Sequence, residues 1–277
     1  MKALKQLFNF YIISSVHVAF AVVSLTIITY IEFDIKVNYS LLVFTFFASV
    51  TGYNFVKYFG VAKFSHRSLT SWLKNIQLFS FLSFIMMLYF ATKIDLSALL
   101  IILVLAILTF LYAIPFFPRR EILENLNNLR AISGLKIYVI ALVWAVTVVV
   151  FPIKNEHIPI NYDIIISTLQ RFIFIVVLMI PFEIRDINND SLKLLTIPQQ
   201  IGVNRSKIFG VLLLLVFLML EFLKDEFILN VLLVNFLVTI ITSGFLLASG
   251  TEQKKYYSAF WVEAVPIYWL LLSLILV

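Results

Sequence analysis

Apolar residues run along this chain in long blocks, separated by short polar stretches. Runs such as Leu99–Leu108 and Val211–Leu218 are apolar at every position. A transmembrane β-strand would alternate apolar and polar residues over about ten positions, so the pattern predicts helices. Blocks of about 20 apolar residues match the thickness of a bilayer's hydrocarbon core. Nine such segments are expected, at about 8–31, 39–59, 74–91, 95–114, 132–152, 163–182, 206–223, 227–248 and 258–277. The first block follows a basic start, as a signal peptide does. It is too long for one and shows no clear small-residue cleavage site, so an uncleaved first helix is expected.

Composition strengthens this reading. Of 277 residues, 62% are hydrophobic and only 13% are charged, about half the charged share of an average soluble domain. A soluble fold of this size needs more Lys, Glu, Asp and Arg for its surface. The 28 Phe and 12 Tyr exclude disorder, and 7 Gly and 7 Pro exclude collagen-like arrays. The absence of cysteine removes disulfides, thiol nucleophiles, iron–sulfur clusters and Cys-based zinc sites. The fold expected is therefore an all-α membrane protein, one integral-membrane domain over 1–277 with pseudo-repeat helices at about 39–152 and 163–277.

The charges that remain are unevenly placed. With the N-terminus in the cytoplasm, the inner loops and helix ends hold 16 Lys and Arg, and the outer loops hold only Lys36, Lys93, Lys154 and Lys224. That asymmetry fits the positive-inside rule and a plasma or inner membrane. It also accounts for the net charge of +6 without nucleic acid as a partner. The outer acids Glu32, Asp34, Asp95, Glu156, Asp163, Glu221, Asp225 and Glu226 read as solvated connectors.

Two inner helix ends carry candidate chemistry. The sixth block ends in Pro181-Phe-Glu183-Ile-Arg185-Asp186-Ile-Asn-Asn-Asp190. On a continuous helix Glu183, Asp186 and Asp190 share one face. Three carboxylates together repel unless a cation joins them, and oxygen-only ligands suit Mg²⁺. Acidic residues at a helix C-terminus also oppose its dipole. Arg185 and Lys193 add positive charge beside them. The second block ends in Thr51-Gly-Tyr-Asn54-Phe-Val-Lys57-Tyr58, followed by His66 and Arg67. Asn54 and Lys57 are one turn apart. Four helices separate the two ends, so both face the same side, as in a parallel repeat rather than an inverted one.

The segment Glu183-Ile-Arg-Asp-Ile-Asn-Asn-Asp190, with Thr196-Ile-Pro-Gln-Gln-Ile-Gly202 after it, resembles the second aspartate-rich motif of the UbiA superfamily of intramembrane prenyltransferases. Leu111-Tyr-Ala-Ile-Pro115 resembles the Tyr-Ser-x-Pro ending that family's fourth helix, and nine helices with a cytoplasmic N-terminus match its topology. The resemblance implies a Mg²⁺-assisted transfer of a prenyl group from a prenyl diphosphate to an aromatic or lipid-soluble acceptor. Glu183, Asp186 and Asp190 would then hold metal, and Asp186, Asp190 and Lys57 would be catalytic. Asn54, Lys57, His66, Arg67, Arg130, Lys136, Arg185 and Lys193 would bind diphosphate. The family's first motif, Asn-Asp-x-x-Asp-x-x-x-Asp, is not kept: after Asn54 its aspartate positions hold Phe55, Tyr58 and Ala62. Lys57 would stand in for the missing metal. The alternatives are a catalytically degenerate member that binds a prenyl diphosphate or quinone-like lipid, and a small-molecule transporter.

Three isolated residues complete the reading. Arg171 and Glu263 lie inside apolar blocks, where an ionisable group is a functional candidate or half of an ion pair. Arg171 is about 18 Å from Glu183 along an ideal helix. Glu263 is placed to approach the inner polar site. His17 reads as a hydrogen-bonded packing residue.

Overall fold

The computed structural model describes residues 2–64, 71–113, 134–189 and 195–277, and all the regular elements among them are helical. In chain order these are α1 Lys2–Ile13, α2 Val16–Glu32, α3 Tyr39–Phe64, α4 Ser71–Ala91 and α5 Leu96–Ala113. Next come α6 Leu135–Asn155, α7 Tyr162–Asp186, the short α8 Ile197–Ile201, α9 Val203–Leu223, α10 Leu229–Ala248 and α11 Tyr257–Leu276. Among the described residues seven helices are long and apolar enough to cross a membrane: α3, α4, α6, α7, α9, α10 and α11. The chain thus has the make-up of a multi-pass integral membrane protein. Two of the nine expected segments differ. The apolar part of α5 that is described, Leu96–Leu111, is shorter.

The other is the first. A continuous helix was expected over 8–31, but α1 and α2 meet at a 58° bend. Ser15 adopts the left-handed conformation, φ 64°, between them. An L-residue rarely enters that region, because its Cβ crowds the following carbonyl. Here side chains from α3, described below, hold the break.

The helices run back and forth, giving the bundle two polar ends. One, the motif end, carries the α1–α2 break, the ends of α3 and α7, and the start of α11. There Gln253 donates to the Pro181 carbonyl (2.8 Å), and Tyr257 to that of Phe245 (2.6 Å). The far end joins Glu32, Asn38, Asn155 and Asp163 to their neighbours, with Asn38 donating to Glu156 at 2.9 Å.

α7 is the axis. Its 25 residues span about 37 Å, more than a hydrocarbon core needs, and 72% of its most apolar window is buried. For α4 the share is 11%. A helix that is apolar all round and exposed is suited to lipid, not water. Around α7 the rings of Phe174, Phe217 and Trp269 meet edge to face, Trp269 at 4.9 Å from Phe174 and 5.6 Å from Phe217. α9 approaches through Gly210, where a Cβ would stand 2.5 Å from Leu246 and 3.1 Å from Ile180. Across the bundle, the Trp144 indole N–H donates to the Tyr53 hydroxyl at 2.6 Å, linking α6 to α3.

Candidate functional site

The motif end of α3 presents Asn54 and Lys57, and both turn toward the break between α1 and α2. Asn54 is buried at 2% exposure. Its amide donates to the Ser14 carbonyl at 3.0 Å and to the Ser80 hydroxyl at 2.8 Å, and its carbonyl accepts from the Ser15 hydroxyl at 2.8 Å. A buried amide so engaged is a structural clamp: its hydrogen bonds satisfy groups that the helix break leaves open. The Lys57 ammonium donates to the same Ser15 hydroxyl at 2.9 Å, while the residue as a whole remains exposed. Tyr58 donates to the Ile13 carbonyl at 3.0 Å. The expected diphosphate-binding role of Asn54 therefore meets a side chain already occupied, whereas Lys57 retains an accessible charge.

At the end of α7 the described part of the carboxylate motif is Glu183 and Asp186, three residues apart on one helix and sharing a face, as expected. The helix closes at Asp186, and 187–189 form a turn in which the Asn189 N–H reaches the Asp186 carbonyl at 2.9 Å. Asn and Asp favour such local turns over helix interiors. Asp190 lies outside the described residues. Glu183, 2% exposed, accepts the Ile197 N–H at 3.2 Å, the opening amide of α8. Gln199 accepts the neighbouring Thr196 N–H at 3.0 Å. The Thr-Ile-Pro-Gln-Gln-Ile stretch thus folds back onto the carboxylate motif. Arg185 grips Asp186 with two bonds, 2.7 and 2.9 Å, and lies over the Phe182 ring at 5.3 Å.

These contacts bear on a metal. One Glu183 oxygen serves a backbone amide, and both Asp186 oxygens face a guanidinium. Both described carboxylates are thus engaged by protein donors, and a Mg²⁺ ion, which takes oxygen ligands in near-octahedral order, would share their oxygens with those donors. Among the described residues no group of three acidic or histidine side chains is placed to hold a metal.

What brings the two helix ends into one site is Glu263, near the start of α11. The charges of Lys57 on α3 and Arg185 on α7 both act on its carboxylate. Lys136, second residue of α6, lies at the same end. His66, Arg67, Arg130 and Lys193 lie outside the described residues. The described charges at these helix ends, Lys57, Lys136 and Arg185 against Glu183, Asp186 and Glu263, balance, and Arg185 is paired with Asp186. Lys57 is the exposed cation among them, held by a neutral hydroxyl.

α1 lies across this end. Phe8 packs edge to face on Tyr256 and Phe260, both at 5.1 Å, and Asn9 accepts from Lys255 (3.0 Å) and Tyr256 (2.8 Å). His17 is a hydrogen-bonded packing residue, as expected. It is stacked on Phe260 at 4.8 Å, with one ring nitrogen on the Tyr11 hydroxyl (2.8 Å) and the other on the Phe260 carbonyl (2.9 Å).

At the far end Asp34, Asp225 and Glu226 are exposed, as solvated connectors should be, but Glu32, Asp163 and Glu221 are not. Arg171 is 1% exposed and donates to Glu32 at 2.8 Å, with its guanidinium 4.0 Å from the centroid of the Trp269 ring. Lys224 bridges Glu32 (2.7 Å) and Glu221 (2.9 Å). Gln170 and Asn235 also donate to Glu221, at 2.9 and 3.0 Å. Asp163 accepts the Asp225 and Glu226 amides. Two acids and two bases cancel, and each carboxylate receives several donors, which is what burial of charge requires. One signal in the sequence pointed here: a buried Arg171 needs a counter-charge.

No protein-family model, no curated protein and no solved structure matches this chain.

Proposed function

We propose that this chain is a membrane-embedded prenyltransferase of UbiA-like design, taking a prenyl diphosphate at its motif end and passing the prenyl group to a lipid-soluble acceptor. The observation that carries the reading is that the α3 end with Lys57 and the α7 end with Glu183, Arg185 and Asp186 lie at the same end of the bundle, tied there through α1 and the start of α11. The topology in this proposal is nine membrane-crossing segments with the N-terminus in the cytoplasm. It rests on the segregation of basic residues to the motif end.

In this reading Lys57 and Arg185 hold the diphosphate oxygens. As the carbon–oxygen bond breaks, negative charge grows on the leaving diphosphate, and fixed cations at a membrane-bounded site stabilise it. The apolar helices beneath receive the prenyl chain, whose burial contributes about 0.8 kcal/mol per CH₂. Glu183 positions α8 rather than touching substrate.

The test is purified protein in lipid nanodiscs with a panel of prenyl diphosphates, an acceptor mixture and a Mg²⁺ titration. Binding is followed by calorimetry and diphosphate release by a coupled assay. Binding with release supports the proposal. No binding by any member of the panel overturns it. A second reading, binding without turnover, is favoured by the absence of any carboxylate between Asp34 and Asp95, where a two-sided metal clamp would need one. Binding without release at any Mg²⁺ concentration would select it.

A further inference from the structure

The contacts at the α1–α2 break give Lys57 two possible partners, and only one is engaged. Its ammonium bonds a neutral hydroxyl, Ser15 Oγ, at 2.9 Å, although the residue is exposed. Ser15 in turn stands at φ 64°, a conformation that costs of order 1–3 kcal/mol unless its surroundings hold it. Those surroundings are few. Asn54 receives the Ser15 hydroxyl and binds the Ser14 carbonyl, Lys57 adds its charge–dipole bond, and Tyr58 takes the Ile13 carbonyl. All three come from one stretch of α3. The break that aims α1 across the motif end is therefore fastened by the same helix end that offers a cation to the site.

Beyond the break, the half of α1 nearer the hinge is tied by Phe10 to Phe79 of α4 (5.6 Å) and by Tyr11 to His17 of α2 (2.8 Å). Its far half is exposed, with Leu4 at 73% and Leu7 at 67%. Its ties to α11 are the Phe8 ring contacts and the Asn9 bonds to Lys255 and Tyr256. Tyr11, on the same helix, is within electrostatic reach of Glu263. α1 thus lies against the start of α11, at the end of the bundle that holds Lys57 and Arg185, and its hinge is latched by Lys57.

We infer that α1 is a lid over the motif-end site, latched by the Lys57–Ser15 bond and released when a diphosphate group draws Lys57 away. This rests on the diphosphate reading given above and adds to it a trigger. A phosphate oxygen is a charged acceptor and forms a stronger bond with ammonium than a hydroxyl does, so the exchange runs toward the ligand. Loss of the Lys57 bond leaves Asn54 alone to hold the Ser15 hydroxyl, and the left-handed turn relaxes. The hinge moves without a change in α2, which is buried along most of its length.

The chain contains no cysteine, so spin labels can be placed singly. Labels at Leu7→Cys and Lys254→Cys, both exposed, report the separation of α1 from the start of α11. Double electron–electron resonance in nanodiscs is run without ligand, with inorganic pyrophosphate and with farnesyl diphosphate, while calorimetry on the same samples measures binding. The expected result is a shift of the distance distribution to longer separations with diphosphate. In Lys57→Met the longer population is present without ligand and no longer responds. In Lys57→Arg the latch and its response are retained. Ser15→Ala, which removes the shared hydroxyl, should resemble Lys57→Met; thermal unfolding near the wild-type value checks that each variant is folded. Diphosphate binding with an unchanged distance overturns the lid and leaves the diphosphate site standing. A wild-type distance in Lys57→Met overturns the latch. If neither diphosphate binds, the diphosphate reading itself fails and the trigger with it.

Discussion

The two ends of this bundle use charge in opposite ways. At the far end Glu32, Arg171, Glu221 and Lys224 are almost wholly buried, mutually paired and bonded to Gln170 and Asn235. At the motif end Lys57 is exposed and bonded to a hydroxyl, Arg185 and Asp186 form a pair at 35% and 29% side-chain exposure, and the charges of both cations act on Glu263. The first arrangement is closed in charge: each of the four has a fixed counter-charge, although the Arg171 Nε and Gln170 Oε1 atoms lack a hydrogen-bond partner. The second is open, with cations that can exchange partners at little cost. Intramembrane charge is thus divided between holding helices together and receiving an anion.

The sharpest way to break this comparison is to remove one member of the buried set. Arg171→Met leaves Glu32 short of one counter-charge in an apolar setting, and we expect a loss of about 3–5 kcal/mol in reversible unfolding from mixed micelles. A loss below about 1 kcal/mol would mean that the far end is not closed. Replacing all four charges together, by Glu32→Leu, Arg171→Met, Glu221→Leu and Lys224→Met, should cost less than Arg171→Met alone. Buried ion sets often give way to apolar packing with little or no loss.

Asn54→Ala comes next. It removes the amide that joins α3 to Ser14, Ser15 and Ser80, and should cost about 1–3 kcal/mol by the same measurement. Its effect on diphosphate affinity should be smaller than that of Lys57→Met, since Asn54 clamps the break while Lys57 meets the ligand. Lys57→Met should change stability by about 1 kcal/mol or less yet abolish most diphosphate binding in calorimetry. The smallest effect on stability is expected for Arg185→Ala. A partly exposed pair contributes about 0–1 kcal/mol, so unfolding should be nearly unchanged while diphosphate affinity falls and becomes less salt-sensitive. Equal stability losses for Arg171→Met and Arg185→Ala would erase the distinction between the ends.

How much of this was legible beforehand differs by residue. His17 was read as a packing residue because one imidazole in an apolar block must find partners nearby. Arg171 was flagged for its depth, but Glu32 and Lys224, its neighbours in the network, were taken for loop residues. They are 139 and 192 positions away from their partners, Arg171 from Glu32 and Lys224 from Glu32 respectively, and no local pattern encodes such pairing. Asn54 was assigned to a ligand from its place in a motif. Its neighbours across the fold, Ser14, Ser15 and Ser80, give it other work. Glu183 and Asp186 share a face of α7 as their spacing predicted, because local helical periodicity fixes that relation, whereas the pairing of Asp186 with Arg185 was not read. The first helix was read as unbroken because its apolar run passes through Ser14 and Ser15 without interruption, and serine alone does not break a helix.

The sequence by itself determined that the chain is an all-helical membrane protein, where most of its membrane-crossing helices lie, and which loops gather the basic residues. Those properties follow from local composition: twenty apolar residues bury their backbone polar groups only as a helix. Only the tertiary structure decided which charges are closed into the far-end network, which cations stay open at the motif end, and that α1 folds back across them. Each of those outcomes depends on side chains from distant helices meeting at one point, where desolvation forces a partner on every buried charge and leaves the exposed ones free to exchange.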